Sequence, residues 1–277
     1  WACLQTWSPF ATAPLQKKRS ATNPRSICAK ESGDISPGIE STEYKSSKYR
    51  NRSSQMQAPN SDNRRWRPIP LIGLTGGIAC GKTTVLKSLE AQGVLCMNAD
   101  TIYADLVRAG SPLLTTIAEI FGSSVIRSDG SLNRQVLGSL VFSDKAAMEK
   151  LNRITHPAIL DEAIQRLVEA EKKGVRWAVF EAAILVEGNS HQEMDFLVVV
   201  SAPNSLRLQR IMGRDGLSQE QAQARIDAQV PLSTYEGNAD YVVQNTDGLQ
   251  ELSISSKALY EALVNQLGNP RHSSGDS

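Results

Sequence analysis

One short stretch constrains this 277-residue chain more than any other feature. Residues 71–75 (LIGLT) form an apolar run of buried-strand type, and residues 76–83 (GGIACGKT) match the spacing GxxxxGK[ST]. From residue 84 to 90, Val85, Leu86 and Leu89 recur at helical spacing. Strand, glycine-rich loop and helix in that order give the spacing a mechanism. Gly76, Gly77 and Gly81 let the loop curl, so that the amides around Ala79 and Cys80 turn toward phosphate oxygens. The helix N-terminus adds its positive end. Lys82 then reaches the β- and γ-phosphates, the Thr83 hydroxyl is a Mg²⁺ ligand, and Thr84 sits in the same first turn. A nucleoside triphosphate site is expected here. Cys80 is open to two readings: a thiolate favoured by the loop amides and Lys82, oxidisable unless phosphate covers it, or an inert filler against the helix.

The rest of the composition divides the chain. Residues 1–70 carry twelve Lys/Arg against five Asp/Glu, whereas the remainder carries eighteen against twenty-four. The mildly acidic larger part argues against a nucleic-acid groove. No window holds the ~18 consecutive apolar residues of a membrane span. Cys3, Cys28, Cys80 and Cys96 have no paired spacing, which argues against a disulfide framework or a CxxC metal knuckle. Residues 1–70 are Ser-rich and basic, with no acidic residue in the first thirty. They read either as a disordered extension or as a mitochondrial or plastid transit peptide; without such a peptide the expected location is cytoplasmic. The folded domain is expected over 71–268, with a loose tail over 269–277. Oligomeric state is left open.

Four further apolar runs have strand length: 93–97, 175–180, 195–200 and 239–245. With 71–75 they predict a doubly wound α/β fold around a five-stranded parallel sheet of P-loop kinase type. Residues 100–165 are expected to form a mainly helical substrate insertion, 207–230 a helical lid, and 249–267 a closing helix. In such a sheet the C-terminal strand ends face the ligand crevice. Asp100, just after the second run, can there take a proton from an attacking hydroxyl, or it caps the helix that follows. Glu181 closes the third run as an acid able to hold Mg²⁺. Asn245 ends the fifth as an adenine contact or a turn cap. Arg207, Arg210 and Arg214 are spaced three and four apart, as on one helix face; they are lid arginines or a solvated surface, and Arg225 follows. No NKxD base-reading motif and no LSGGQ-like signature is present, so small-molecule kinases remain.

Within that class, the stretch from Leu71 to about Leu267 resembles the dephospho-CoA kinases. The resemblance rests on LTGGIACGKTT, NADTIYADLV, FGSSVIRSDGSLNRQVLGSLVF, ITHPAI, AAILVE, RIMGRDGLSQEQAQARIDAQ and ADYVVQN, in that order. It implies ATP-dependent phosphorylation of the ribose 3′-hydroxyl of dephospho-CoA, with ATP and dephospho-CoA as small-molecule partners and Mg²⁺ as cofactor. It further implies Asp100 as the base and Arg210 and Arg214 as lid residues. His156 and Glu187 then stand toward the acceptor substrate. The family usually carries a second Asp where this chain has Asn98. Read from the residues alone, Pro157 suits a helix first turn whose dipole Asp161 and Glu162 complement, so His156 serves helix entry or substrate. Glu187 is otherwise an exposed acid. The competing functions are another nucleoside or small-metabolite kinase, and a catalytically silent ATP-binding module.

Overall fold

Strands whose side chains are apolar on both faces must be covered on both faces, and that requirement sets the architecture. The computed structural model describes residues 67–183 and 185–271. Most of the basic N-terminal stretch, with its transit-peptide reading, lies outside the described residues. Strands β1 (Leu71–Thr75), β2 (Leu95–Asn98), β3 (Ala178–Glu181), β4 (Phe196–Ser201) and β5 (Tyr241–Gln244) form one sheet. Their order is β2-β3-β1-β4-β5 and every neighbouring pair is parallel. Along the three central strands the side chains alternate between two cores. Leu71, Phe180, Leu197 and Val199 enter one; Ile72, Leu74, Val179, Val198 and Val200 enter the other.

Helices α1 (Lys82–Ala91) and α9 (Leu249–Leu267) fill the second core with Val85, Leu86, Leu89, Leu252, Leu259 and Leu263. The first core is covered by the insertion: α2 (Ala99–Leu106), α3 (Pro112–Phe121), α4 (Arg134–Phe142) and α5 (Lys145–Lys172). Between α3 and α4 the chain makes an antiparallel bridge, Ile126 to Leu132.

α5 corrects the reading of Pro157. The helix starts twelve residues earlier, capped by Asp144, whose carboxylate accepts the Ala146 amide at 2.8 Å. Pro157 lies inside it on the exposed side, and Glu162 pairs with Arg166 at 2.7 Å rather than with a helix N-terminus. An interior proline costs a helix about 3 kcal/mol or more. Here Leu151, Thr155, Ile159, Ala163, Leu167 and Ala170 form an unbroken buried stripe on both sides of it, and that packing carries the helix through.

The lid region consists of α6 (Asn204–Asp215) and α7 (Gln219–Asp227), followed by α8 (Leu232–Asn238), a short helix the apolar pattern does not announce. α6 and α7 share a small core of Ile211, Ala222 and Ile226, against which Ile78 and Ala79 of the glycine loop pack. The ordered chain also extends past both expected domain ends. Arg67 and Ile69 are buried, while the Arg176 amide bonds the Pro270 carbonyl at 2.9 Å and Trp177 Nε1 donates to the Gly268 carbonyl at 2.9 Å.

Candidate active site

The glycine loop leaves β1 at Gly76, whose φ is +141°. A Cβ there would lie 2.2 Å from the Val200 carbonyl oxygen, so only glycine lets the loop pass that close to β4. Beyond it, five consecutive carbonyls are each held by a side-chain donor. Lys82 Nζ donates to Gly76 O at 2.8 Å and Gly77 O at 3.1 Å. Arg207 Nε takes Ile78 O at 3.0 Å, Arg210 takes Ala79 O at 3.0 Å, and Asn245 Nδ2 takes Cys80 O at 2.7 Å. Arg210 also donates to Asn245 Oδ1 at 2.9 Å, which ties the last two donors together. Carbonyls pulled outward rotate their peptide planes, the geometry that turns amides toward an anion. The Ile78 amide departs from the simple picture, because it donates to Gln229 Oε1 at 2.7 Å.

These bonds redistribute the expected residues. Arg207 is buried and braces the loop. Asn245 is also buried, with both ends of its amide engaged by the loop and Arg210; its side chain is a brace. Arg214 is the lid arginine that stays accessible, its side chain 55% exposed and paired with Asp215 through two bonds at 2.8 and 2.9 Å. Arg225 joins the same carboxylate at 2.6 Å.

Cys80 settles on the second of its two readings. Its thiol is fully buried in the core with Val85 and Leu86. Burial pushes its pKa up against the opposing charges of Arg207 and Lys82. Burial and Glu90 push Cys96 up as well, to about 12, so access separates the two: a maleimide reagent is expected to leave Cys80 unmodified in the native protein and to reach the half-buried Cys96 ahead of it. Peptide mapping that finds Cys80 labelled ahead of Cys96, with ATP slowing it, would reverse this assignment.

The acids gather at the strand ends. β2 and β3 are in register with Asn98 opposite Glu181, and Asn98 Nδ2 donates to Glu181 Oε2. Asn98 Oδ1 meanwhile accepts the Thr101 amide at 2.8 Å and caps α2. That cap leaves Asp100 free of the capping role, exposed in the first turn of α2 just past the C-terminal end of β2. Partial desolvation raises the Asp100 pKa, while Lys82 and Arg134 pull it down. Burial likewise raises Glu181; the Asp100 charge adds to the rise, while the Lys82 charge and the hydrogen bond from Asn98 oppose it. Lys82, Asp100, Glu181 and Arg134 thus share one electrostatic neighbourhood. A hydroxyl at Thr83 and a carboxylate at Glu181 are hard oxygen donors of the kind Mg²⁺ takes. No group of three His, Cys, Asp or Glu side chains forms a metal cage among the described residues.

His156 and Glu187 both precede the lid arginines in sequence and lie in different elements. His156 is half-buried within α5, and Glu187 follows β3 in the loop anchored by the Thr75 hydroxyl bond to Ala183 O at 3.2 Å.

Residues 70–251 match the family model for dephospho-CoA kinase. The chain belongs to the dephospho-CoA kinase family. A dephospho-CoA kinase of Syntrophotalea carbinolica is 38% identical over 208 residues, spanning 75% of this chain and 99% of that protein. One from Geobacter sulfurreducens is 38% identical over 182 residues, 66% of this chain and 92% of the relative. Among solved structures, one from Thermus thermophilus superposes with a TM-score of 0.61 at 30% identity, over 71% of this chain and 98% of the other. The Campylobacter jejuni dephospho-CoA kinase gives 0.54 at 26% identity, over 70% and 97%.

Within the family frame the structure adds residues that spacing alone did not single out. Arg134, at the start of α4, lies with its guanidinium 5.8 Å from the Tyr103 ring centroid and acts electrostatically on Asp100. The signal available was a basic residue opening a helix after the Asn133 cap. Gln229 and Tyr235 had no signal, because their partners are distant in sequence. No helix among the described residues is long and apolar enough to cross a membrane.

Proposed function

We propose that the chain transfers the γ-phosphoryl group of ATP to the ribose 3′-hydroxyl of dephospho-CoA, giving coenzyme A and ADP. The observation that carries this is that Asp100 follows β2 at the same C-terminal edge of the parallel sheet from which the braced phosphate loop leaves β1. As the ribose oxygen attacks the γ-phosphorus, its proton passes to the Asp100 carboxylate, and the β–γ bridging oxygen leaves with ADP. Lys82 exchanges its two loop carbonyls for phosphate oxygens. Thr83 and Glu181 are the residues that would hold Mg²⁺, which when bound neutralises charge on the bridged phosphates. Asn98 keeps the Glu181 carboxylate oriented, a role for a neutral amide where the family often has an acid.

Arg214 is the mobile member of the site. It exchanges Asp215 for the transferring phosphoryl as the lid closes, excluding water. Arg214→Ala is expected to lower kcat by roughly 10²-fold with little change in the KM for ATP, since the contact forms in the closed state. A pure KM effect in steady-state kinetics would remove Arg214 from the chemistry. We also read the basic stretch ahead of Arg67, acid-free over its first thirty residues, as an organelle transit peptide, since Arg67 and Ile69 already belong to the folded domain.

The test of the function is an acceptor panel with ATP, following ADP release. Transfer is expected with dephospho-CoA, and transfer to AMP or shikimate instead would overturn it.

A further inference from the structure

Glu187 carries an unusual pair of oxygens. Oε1 accepts the hydroxyl of Tyr235, while Oε2 is buried and has no hydrogen-bond partner among the described residues. A buried acceptor left unsatisfied costs on the order of 1–3 kcal/mol, and native structures keep few of them without a reason. The loop that bears Glu187 lies at the strand ends, tied to the last residue of β1 through Thr75.

Tyr235 is equally particular. It is fully buried in the first core, and it comes from α8, the short helix that follows the lid. That helix is itself pinned: the next residue, Glu236, accepts the Ser201 hydroxyl at 2.6 Å at the end of β4. Six residues before Tyr235, Gln229 holds the Ile78 amide of the phosphate loop and receives Arg207 at 3.2 Å. The segment from 229 to 236 therefore joins two strand-end loops and the last residue of β4 through side-chain hydrogen bonds. A phenol fixed by core packing and donating to one carboxylate oxygen fixes the direction of the other.

We propose that Tyr235 is a positioning residue for acceptor recognition, holding Glu187 so that Oε2 meets a hydrogen-bond donor of the phosphoryl acceptor. The donor belongs to the hydroxyl or amino class, because only such a group satisfies a buried carboxylate oxygen. The inference rests on the phosphotransfer reading above, with Glu187 on the acceptor side. Through Gln229 the same segment reaches the phosphate loop, but by bonds that Tyr235 does not make. Removing the Tyr235 hydroxyl should therefore affect acceptor binding and leave ATP binding alone.

The experiment compares wild type, Tyr235→Phe, Glu187→Gln and the double variant, measuring KM for ATP and for dephospho-CoA separately, with a melting curve for each protein. Phenylalanine keeps the ring in the core and deletes only the hydroxyl. The expected result is a rise of roughly tenfold in the KM for dephospho-CoA in each single variant, the size of one hydrogen bond to a charged group. The KM for ATP should stay within about twofold of wild type. The double variant should be no worse than about the weaker single, as for two residues acting through one contact. An unchanged acceptor KM in Tyr235→Phe, an equal rise in both KM values, or multiplicative effects in the double variant would each overturn the proposal. If Tyr235→Phe melts below the assay temperature, Glu187→Gln at its half-buried site carries the same KM comparison. A wild-type enzyme inactive on dephospho-CoA defeats the functional reading itself; an active wild type matched by Tyr235→Phe defeats only this inference.

Discussion

Asp100→Asn is expected to bind ATP as the wild type does and to turn over at least about 10²-fold more slowly, the usual contribution of a positioned general base. ATP affinity survives because the loop carbonyls stay held by Arg207, Arg210 and Asn245, none of which contacts Asp100 by hydrogen bond. The helix survives because its cap is Asn98. Asparagine is nearly isosteric and cannot take the ribose proton. The pH dependence follows from the same residue. Partial desolvation raises the Asp100 pKa, and the base works only when deprotonated. Activity should therefore rise with pH through a value above the ordinary aspartate range, and the acid limb should vanish in Asp100→Asn. A variant with near wild-type turnover in saturating substrates would reduce Asp100 to a bystander.

The largest expected stability loss lies far from the chemistry, at Asp195. This carboxylate is fully buried, 2.7 Å from the equally buried Arg67 guanidinium, and it also accepts the Leu71 amide at 2.8 Å. Arg67 reaches further, to the Glu193 carbonyl at 2.5 Å. One side chain thus fastens the entry of β1 to the entry of β4. Asp195→Ala breaks this buried ion pair and frees a strand-end amide, a loss of about 3–5 kcal/mol. For a domain of this size that is roughly 10 °C in Tm or more. Differential scanning calorimetry reads it directly. A shift of only a degree or two would mean that water reaches Arg67 and that the clasp is not a fold determinant. Asp195→Asn, which keeps an acceptor for Leu71, should fall between the two.

What could be read from the sequence was what depends on neighbours along the chain. The five apolar runs became the five strands, with ends moved by no more than about three residues, because a run apolar on both faces has few places to go in a sheet. The closing helix at 249–267 was equally plain. Pro157 misled because local rules place proline at helix starts, whereas the stripe from Leu151 to Ala170 is a tertiary demand. α8 escaped notice since seven residues, LSTYEGN, contain no helical stripe; it is held by Tyr235 in the core and by the bonds of Tyr235 and Glu236 to distant loops. The site follows the same division. Gly76, Lys82 and Thr83 announce themselves by spacing. That Arg207 and Asn245 brace the loop could not be read locally, because their partners lie 129 and 165 residues away, and no local pattern records such a pairing.

The central claim is chemical and has a direct test. Purified protein should be incubated with Mg²⁺, γ-labelled ATP and dephospho-CoA, and the labelled product analysed by mass spectrometry with fragmentation to place the phosphoryl group. The account predicts one added phosphoryl per ADP formed, located on the ribose 3′-oxygen, and no labelled product with Asp100→Asn on the same time scale. Label released only as inorganic phosphate, or placed on another acceptor while dephospho-CoA is left unchanged, would contradict it.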